Sequence, residues 1–122
     1  KVDLVSLDRE NIKHYERYLE QHRDFSLSFE GELLHLLKRR RKHLGAVEIT
    51  LAYNGLTMVQ KRHGDMTLFP LSQIDAVAVQ QQAMLIFYIE NQPTIAVKLN
   101  QTDSPYQMMK TFEIFKALSQ KE

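Results

Sequence analysis

The spacing of apolar residues divides the chain into three parts. Through residues 1–45 apolar side chains recur at intervals of three and four, which is typical of amphipathic helices. From residue 46 to residue 100 they alternate with polar side chains, which is typical of strands that bury one face. After residue 104 the helical spacing returns. The pattern predicts a helical segment, a set of strands and a closing helix.

The first part predicts two helices. One covers about residues 8–22, with Ile12, Tyr15, Leu19 and, less regularly, Tyr18 on one face. The other covers about residues 29–44, with a leucine stripe, a capping Ser28, acids in the first turn, cations in the last turns and Gly45 at the left-handed cap position. Residues 24–29 alternate apolar and polar side chains, so a strand and a loop both remain open there. The stripe consists of Leu33, Leu36, Leu37 and Leu44.

The second part predicts six strands joined by short turns. Asn54-Gly55 is the strongest turn signal, because both residues tolerate the positive φ of a type I′ turn. Pro70 lacks a backbone donor and indicates an edge strand or a strand end, and Gln81-Gln82 marks a further turn. Short links between successive strands predict an antiparallel meander. The strands cover residues 46–53, 56–61, 66–70, 74–80, 83–90 and 94–99.

The closing helix carries clear start signals. Ser104 stands at the cap, Pro105 at the first helical position and Gln107 three residues after the cap, which is the arrangement of a capping box. The apolar face that follows predicts packing across the sheet rather than a ligand groove. This face consists of Met108, Met109, Phe112, Phe115 and Leu118.

Composition limits the class of protein. The chain has 122 residues, 43% of them apolar, which is enough for one hydrophobic core. We therefore expect one compact unit, in which a helical segment (residues 1–45) precedes a meander with its helix (residues 46–122). A net charge of +1 argues against function through an overall field, and the absence of cysteine excludes disulfides and thiolate metal sites. The longest apolar run, residues 83–89, is too short to span a bilayer, so we expect a soluble chain.

One charge cluster is conspicuous, and it supplies the candidate site. Its five cations are predicted to lie at the end of the second helix, where they are either a solvated helix terminus, a patch for anionic headgroups, or a nucleic-acid surface. Nucleic acid is less favoured, because no RNP, KH or zinc-finger pattern accompanies the charge. The candidate headgroup- or anion-binding residues are Lys38, Arg39, Arg40, Arg41 and Lys42.

Other chemistry finds little support in the sequence. His14 and His22 are eight residues apart, as are His35 and His43, and neither pair has the spacing of a helical zinc site. No nucleophile elbow, P-loop or dinucleotide fingerprint is present, and Glu30 and Glu32 would lie on different helix faces. We expect no metal, no cofactor and no catalysis. A small enzyme whose site only the fold assembles remains an alternative.

Four stretches carry a resemblance to a known family. They are GAVEITLAYNGLTMV, MTLFPLSQIDAV (residues 66–77), AMLIFYI and TIAVKL. Together they resemble bacterial pleckstrin-homology-like domains of the YcxB-like kind, over about residues 45–118. Leu71 departs from the pattern, because such families often carry an aromatic residue there. The resemblance implies an α+β fold: a curved antiparallel sheet or partial barrel with a C-terminal helix.

The resemblance also implies a setting. Residues 7–11 and the helix with Tyr15 and Tyr18 look like the leading segment of such proteins, and the basic stretch before Gly45 looks like their linker out of a membrane hairpin. The family is membrane-associated, mainly uncharacterised and without an activity to transfer. We therefore expect a non-catalytic interaction module, in the cytoplasm or at the inner face of a bacterial membrane. Its partner would be an anionic membrane surface or a protein; a nucleic-acid or regulatory binder is the alternative.

Overall fold

The structure, a computed structural model, describes residues 9–100 and 104–121. It contains helix, sheet and a C-terminal helix in the order expected of the predicted α+β class. The elements are α1 (Arg9–Gln21), β1 (Leu27–Leu37), β2 (Arg40–Ala52), β3 (Gly55–Gln60), β4 (Asp65–Phe69), a 3-10 turn (Leu71–Gln73), β5 (Ile74–Gln80), β6 (Met84–Ile89), β7 (Thr94–Leu99) and α2 (Pro105–Gln120).

Seven strands form a single antiparallel sheet. Their order is β4-β3-β2-β1-β7-β6-β5, so the first strand joins the two halves of the meander and β4 and β5 are the edges. The sheet curls into a half-barrel, which confirms the predicted curved antiparallel sheet with a C-terminal helix and is consistent with a pleckstrin-homology-like arrangement. All six predicted strands are present, and β1 is a seventh.

The predicted second helix is wrong. Residues 29–44 form most of β1, a two-residue turn at Lys38 and Arg39, and the first half of β2. The leucine stripe arises because β1 buries side chains on both faces near its end, where Leu33 and Leu34 are 3% and 2% exposed. Two-sided burial removes the alternation that marks a strand. The open question at residues 24–29 is settled too, since β1 begins at Leu27.

Gly45 is a bulge residue and not a helix cap. The register of β1 and β2 jumps from Leu33 opposite Gly45 to Leu34 opposite His43, so that Leu44 is the extra residue. Gly45 has a φ of +93°, which glycine adopts without steric cost. The bulge bends β2 between its basic half and its apolar half.

The core lies between the inner face of the sheet, defined here as the face that carries Leu33, and the two helices. Helix α2 packs against β5, β2 and the 3-10 turn, and α1 packs against α2. The predicted apolar face of α2 is buried, except that Met109 is half-buried. Ser104 occupies the cap position, but its side chain makes no cap hydrogen bond, so the predicted capping box does not form.

Helix α1 follows its prediction closely. Tyr15 and Leu19 are fully buried, whereas Ile12 and Tyr18 are half-buried. The Tyr15 hydroxyl lies 2.6 Å from Thr111 Oγ1, and Thr111 Oγ1 donates to the Gln107 carbonyl oxygen at 2.6 Å, so Tyr15 is the donor to Thr111. Burial raises the pKa of Tyr15 above its ordinary value, and the neighbouring side chains of Thr111 and Gln107 oppose this shift. The buried bond fixes α1 on α2.

The hairpin between β2 and β3 is confirmed, but its turn lies one residue earlier than predicted. Ala52 pairs with Gly55, which makes Tyr53 and Asn54 the central residues. Of the predicted pair, Gly55 alone has a positive φ, +140°, among the residues that the structure describes. The predicted type I′ geometry at Asn54-Gly55 is therefore wrong. Gly55 is required instead because its backbone lies against Phe69 of β4.

The turn between β5 and β6 is where paired positive φ angles occur. Gln81 and Gln82 have φ values of 55° and 59°, and Ala83 N–H donates to the Gln80 carbonyl oxygen at 3.3 Å. This is the geometry that a type I′ turn requires. Glutamine adopts it at a steric cost that glycine avoids.

Gln82→Gly is therefore expected to raise the free energy of unfolding by about 0.5 to 1 kcal/mol. The steric strain that glycine removes at this left-handed position exceeds the extra conformational entropy that glycine loses on folding. Urea titration followed by circular dichroism measures the change. Gln80→Gly is the matched control: it lies in β5 and should lower stability, since a strand gains nothing from glycine's freedom. Equal shifts in the same direction would contradict the assigned turn.

Candidate functional site: a basic hairpin

The five candidate cations lie at the tip of the β1–β2 hairpin. We call residues 38–42 the basic hairpin. Lys38 and Arg39 form the turn, Arg40 pairs with Leu37, and Arg41 pairs with Leu36. All five side chains are exposed. The predicted residues are thus together, on a hairpin tip and not on a helix end.

Strand alternation distributes these charges over both faces of the ribbon. Arg40 and Lys42 share one face with Leu37, while Arg41 shares the opposite face with Leu36. Because strand residues rise by about 3.3 Å each, all five side chains start within roughly 10 Å of one another. A surface that meets the hairpin tip end-on can therefore contact cations from both faces of the ribbon.

Two hydrophobic clusters hold the base of the basic hairpin. Leu33 belongs to the main core on the inner face. Leu34 belongs to a second cluster on the outer face of the sheet, together with Met84, Ile86 and Ala96, and Leu36 packs against it. Apolar contacts therefore hold β1 on both faces just before the cations begin. Such anchoring presents the charges on a rigid ribbon, which lowers the entropic cost of binding.

The basic hairpin keeps its positive charge. Among the residues that the structure describes, no carboxylate pairs with any of the five cations. The nearest acid along β1, Glu32, accepts from His43 Nδ1 at 2.6 Å, and Glu30 pairs with Lys61. As strand residues two positions apart, Glu30 and Glu32 lie on the same face, contrary to the helix prediction. These ion pairs were not predicted, because they join strands that the helix prediction concealed.

His35 lies directly opposite Lys42 on the inner face of the hairpin. Burial, and secondarily the charge of Lys42, lower the pKa of His35 below its ordinary value. His35 is consequently neutral near pH 7 and adds no charge to the basic hairpin there. The positive charge of residues 38–42 comes from lysine and arginine alone.

The structure also bears on the chemistry that the sequence did not favour. Within the described residues, no three histidine or acidic side chains group closely enough to hold a metal ion. No helix in residues 9–100 or 104–121 is long and apolar enough to cross a membrane. Several clefts lie on the surface of the described residues. The one between α1 and α2 has an apolar floor and a mixed-charge rim, formed by Ile12, Glu16, Lys110, Glu113, Ile114 and Leu118.

Comparison with known proteins leaves the chain without an assigned family. No protein-family model matches it, and no curated protein is significantly similar to it. The resemblance to YcxB-like domains therefore stays a prediction.

Proposed function

We propose that the chain is a non-catalytic interaction module that binds an anionic membrane surface through its basic hairpin. The observation that carries the proposal is the clustering of five exposed cations at one anchored hairpin tip, where no carboxylate of the described residues pairs with them. A lysine or arginine near an anionic leaflet contributes about 1 kcal/mol. Five of them together support peripheral, reversible and salt-sensitive binding.

The neighbouring surface favours a lipid surface over a nucleic acid. Half-buried Leu36 and Leu37 flank the cations, and their side chains suit the boundary between headgroups and acyl chains. Single-stranded nucleic-acid sites add aromatic platforms on which bases stack. Residues 33–45 of the hairpin contain no phenylalanine, tyrosine or tryptophan. A nucleic-acid ligand is therefore the alternative outcome of the test below.

We infer the cellular setting from the resemblance and the hairpin together. The basic hairpin corresponds to the stretch that the resemblance interprets as a linker from a membrane hairpin. The module would then be the soluble part of a membrane-associated bacterial protein of the YcxB-like kind, placed at the cytoplasmic face, where anionic lipids are concentrated. A protein partner at the same site would need an acidic surface.

Replacement of Arg39, Arg40 and Arg41 by glutamine is expected to abolish retention on vesicles that contain phosphatidylglycerol. The melting temperature should stay nearly unchanged, because exposed cations contribute only tenths of a kcal/mol each. Cosedimentation with vesicles of phosphatidylcholine, with and without phosphatidylglycerol, measures the loss. Binding should also weaken as salt rises, because salt screens exposed charges.

The matched control removes the same charge elsewhere. Lys13, Arg17 and Arg62 are exposed and lie outside the basic hairpin, and their joint replacement by glutamine should leave vesicle binding intact. If both triple variants lose binding equally, overall charge and not the hairpin is responsible. If the chain binds only an oligonucleotide, with an affinity that falls steeply as salt rises, the ligand of the basic hairpin is a nucleic acid and not a membrane. Indifference to both ligands at about 50 mM salt would overturn the proposal.

A further inference from the structure

The edge strand β4 is unusually exposed for an apolar strand. Its first four residues are all exposed, and Met66 and Leu68 are 72% and 48% accessible. Within the described residues, β4 pairs only with β3. The opposite edge, β5, carries a bulge at Asp75 and packs against α2, which are common protections of a sheet edge. Among the described residues, β4 has no bulge and no helix that packs closely against it.

The hydrogen-bond pattern determines which residues of β4 face its open edge. Lys61 N–H donates to the Ala46 carbonyl oxygen at 3.0 Å, across the β2–β3 pair. In an antiparallel ladder, alternate residues bond to opposite neighbours. The odd-numbered residues of β3 therefore bond to β2, and the even-numbered ones, including Met58, bond to β4.

Thr67 lies opposite Met58, so its backbone N–H and C=O groups point along the sheet toward β3. Met66 and Leu68 lie on either side of Thr67, and their N–H and C=O groups point outward. The two residues with exposed apolar side chains thus also present the free backbone donors and acceptors. This combination is a template for pairing with another strand.

The ends of this edge determine the register of such pairing. Gly64 N–H already donates to the Gln60 carbonyl oxygen at 2.7 Å, and Pro70 has no N–H. Both limits are three residues from Thr67, so the available edge is symmetric about that residue. An edge that is symmetric about its centre is complementary to a second copy of itself in antiparallel orientation.

We propose that two copies of this chain associate by antiparallel pairing of their β4 strands, with the twofold axis at Thr67. Met66 of each copy then lies opposite Leu68 of the other, and each such pair exchanges two backbone hydrogen bonds. The four exposed apolar side chains cover one another on the same face. Thr67 faces its symmetry mate in the non-hydrogen-bonded position between these pairs.

Charge and area are compatible with this arrangement. Asp65 faces Phe69 of the second copy, and the two Asp65 residues lie about 13 Å apart along the strands, beyond the Debye length of about 8 Å at physiological salt. Pairing through short edge strands buries less than the roughly 1,200 Å² of a standard interface. The dimer is therefore weak and reversible, and it is independent of the proposed membrane site.

A single engineered cysteine tests the register directly, because the chain contains no cysteine. In a non-hydrogen-bonded antiparallel pair the Cα atoms are about 4.5 Å apart, which a disulfide can bridge. Thr67→Cys should therefore form a covalent dimer under mild oxidation, read by non-reducing electrophoresis. Ser72→Cys, exposed but outside the edge, should remain monomeric under the same conditions. Equal rates of cross-linking for the two variants would overturn the proposal.

Sedimentation velocity over a dilution series tests the dimer without a cross-link. Leu68→Pro removes an outward N–H but no bond to β3, so it should retain the fold and abolish concentration-dependent association. Leu68→Lys is a second variant with the same expected loss, should proline disturb the strand. Tyr88→Lys changes another exposed apolar residue, outside β4, and should associate like the unaltered chain. An unaltered chain that stays monomeric throughout, or association that both Leu68 variants retain, would show the proposal to be wrong.

Discussion

Phe112→Ala is expected to lower the free energy of unfolding by about 3 to 5 kcal/mol, as is typical of a buried phenylalanine that leaves a cavity. Phe112 is 3% exposed and belongs to the main core. The Lys116 ammonium lies 5.6 Å from its ring centroid, so a cation–π contact is lost as well. Urea denaturation followed by circular dichroism measures the effect.

Lys38→Ala is the control for this experiment. Lys38 is exposed at the tip of the basic hairpin and has no ion pair among the described residues, so its truncation should be nearly neutral for stability. Equal losses of stability in the two variants would contradict the assignment of Phe112 to the core.

Gly55→Ala is expected to cost about 3 to 5 kcal/mol, because strain and steric conflict act together. The φ of +140° at this position lies in a region that side-chain-bearing residues rarely adopt. An added Cβ would also meet the Phe69 carbonyl oxygen and lie 3.0 Å from Pro70 Cα. Both atoms belong to backbone, so neither can move aside cheaply.

Gly45→Ala separates the two causes. Gly45 also has a positive φ, but an added Cβ would meet nothing within 4 Å. We expect a cost of about 1 to 3 kcal/mol from strain alone. Thermal or urea denaturation of both variants gives the difference. If Gly45→Ala were as damaging as Gly55→Ala, the close approach of β3 and β4 would not be the reason that Gly55 is needed.

Local patterns were sufficient where burial is one-sided. The alternation from Val47 to Leu51 and the apolar face of α2 each report a single buried face, and both predictions are confirmed. Pro70 correctly indicated the edge strand, since β4 ends just before it. In these elements the spacing of apolar residues along the sequence equals the spacing of the side chains that face the core.

Local patterns failed where a strand is buried on both faces. The leucines of β1 contact two different clusters, and the cations that follow have strong helix propensity, so the segment resembles an amphipathic helix. The strand is revealed by its pairing with β2 and, far along the chain, with β7. The identity of the candidate site residues was predicted, but their placement on a hairpin was not, because tertiary pairing overrides local propensity.

The sequence indicated the edge position of β4 through Pro70, but it did not indicate that the apolar side chains of this strand are exposed. Met66 and Leu68 are apolar residues of a predicted strand, and their spacing does not mark them as exposed. Their exposure follows from the half-barrel, which ends at β4 and leaves its outer edge uncovered by any described strand. The exposure of side chains on an edge strand depends on the order of strands in the sheet as well as on the strand's own sequence.

The bond between Tyr15 and Thr111 joins residues 96 positions apart, and this has a consequence for synthesis on the ribosome. Helix α1 emerges early, but Tyr15 has no Thr111 to bond to until α2 follows. One edge of β1 likewise has its backbone groups unpaired with β7 until β7 has been synthesised. Distant contacts of this kind slow folding and leave intermediates prone to aggregate. Translation that stops before residue 105 therefore releases a sheet with its inner face uncovered, and folding is completed only when the C-terminal helix leaves the exit tunnel.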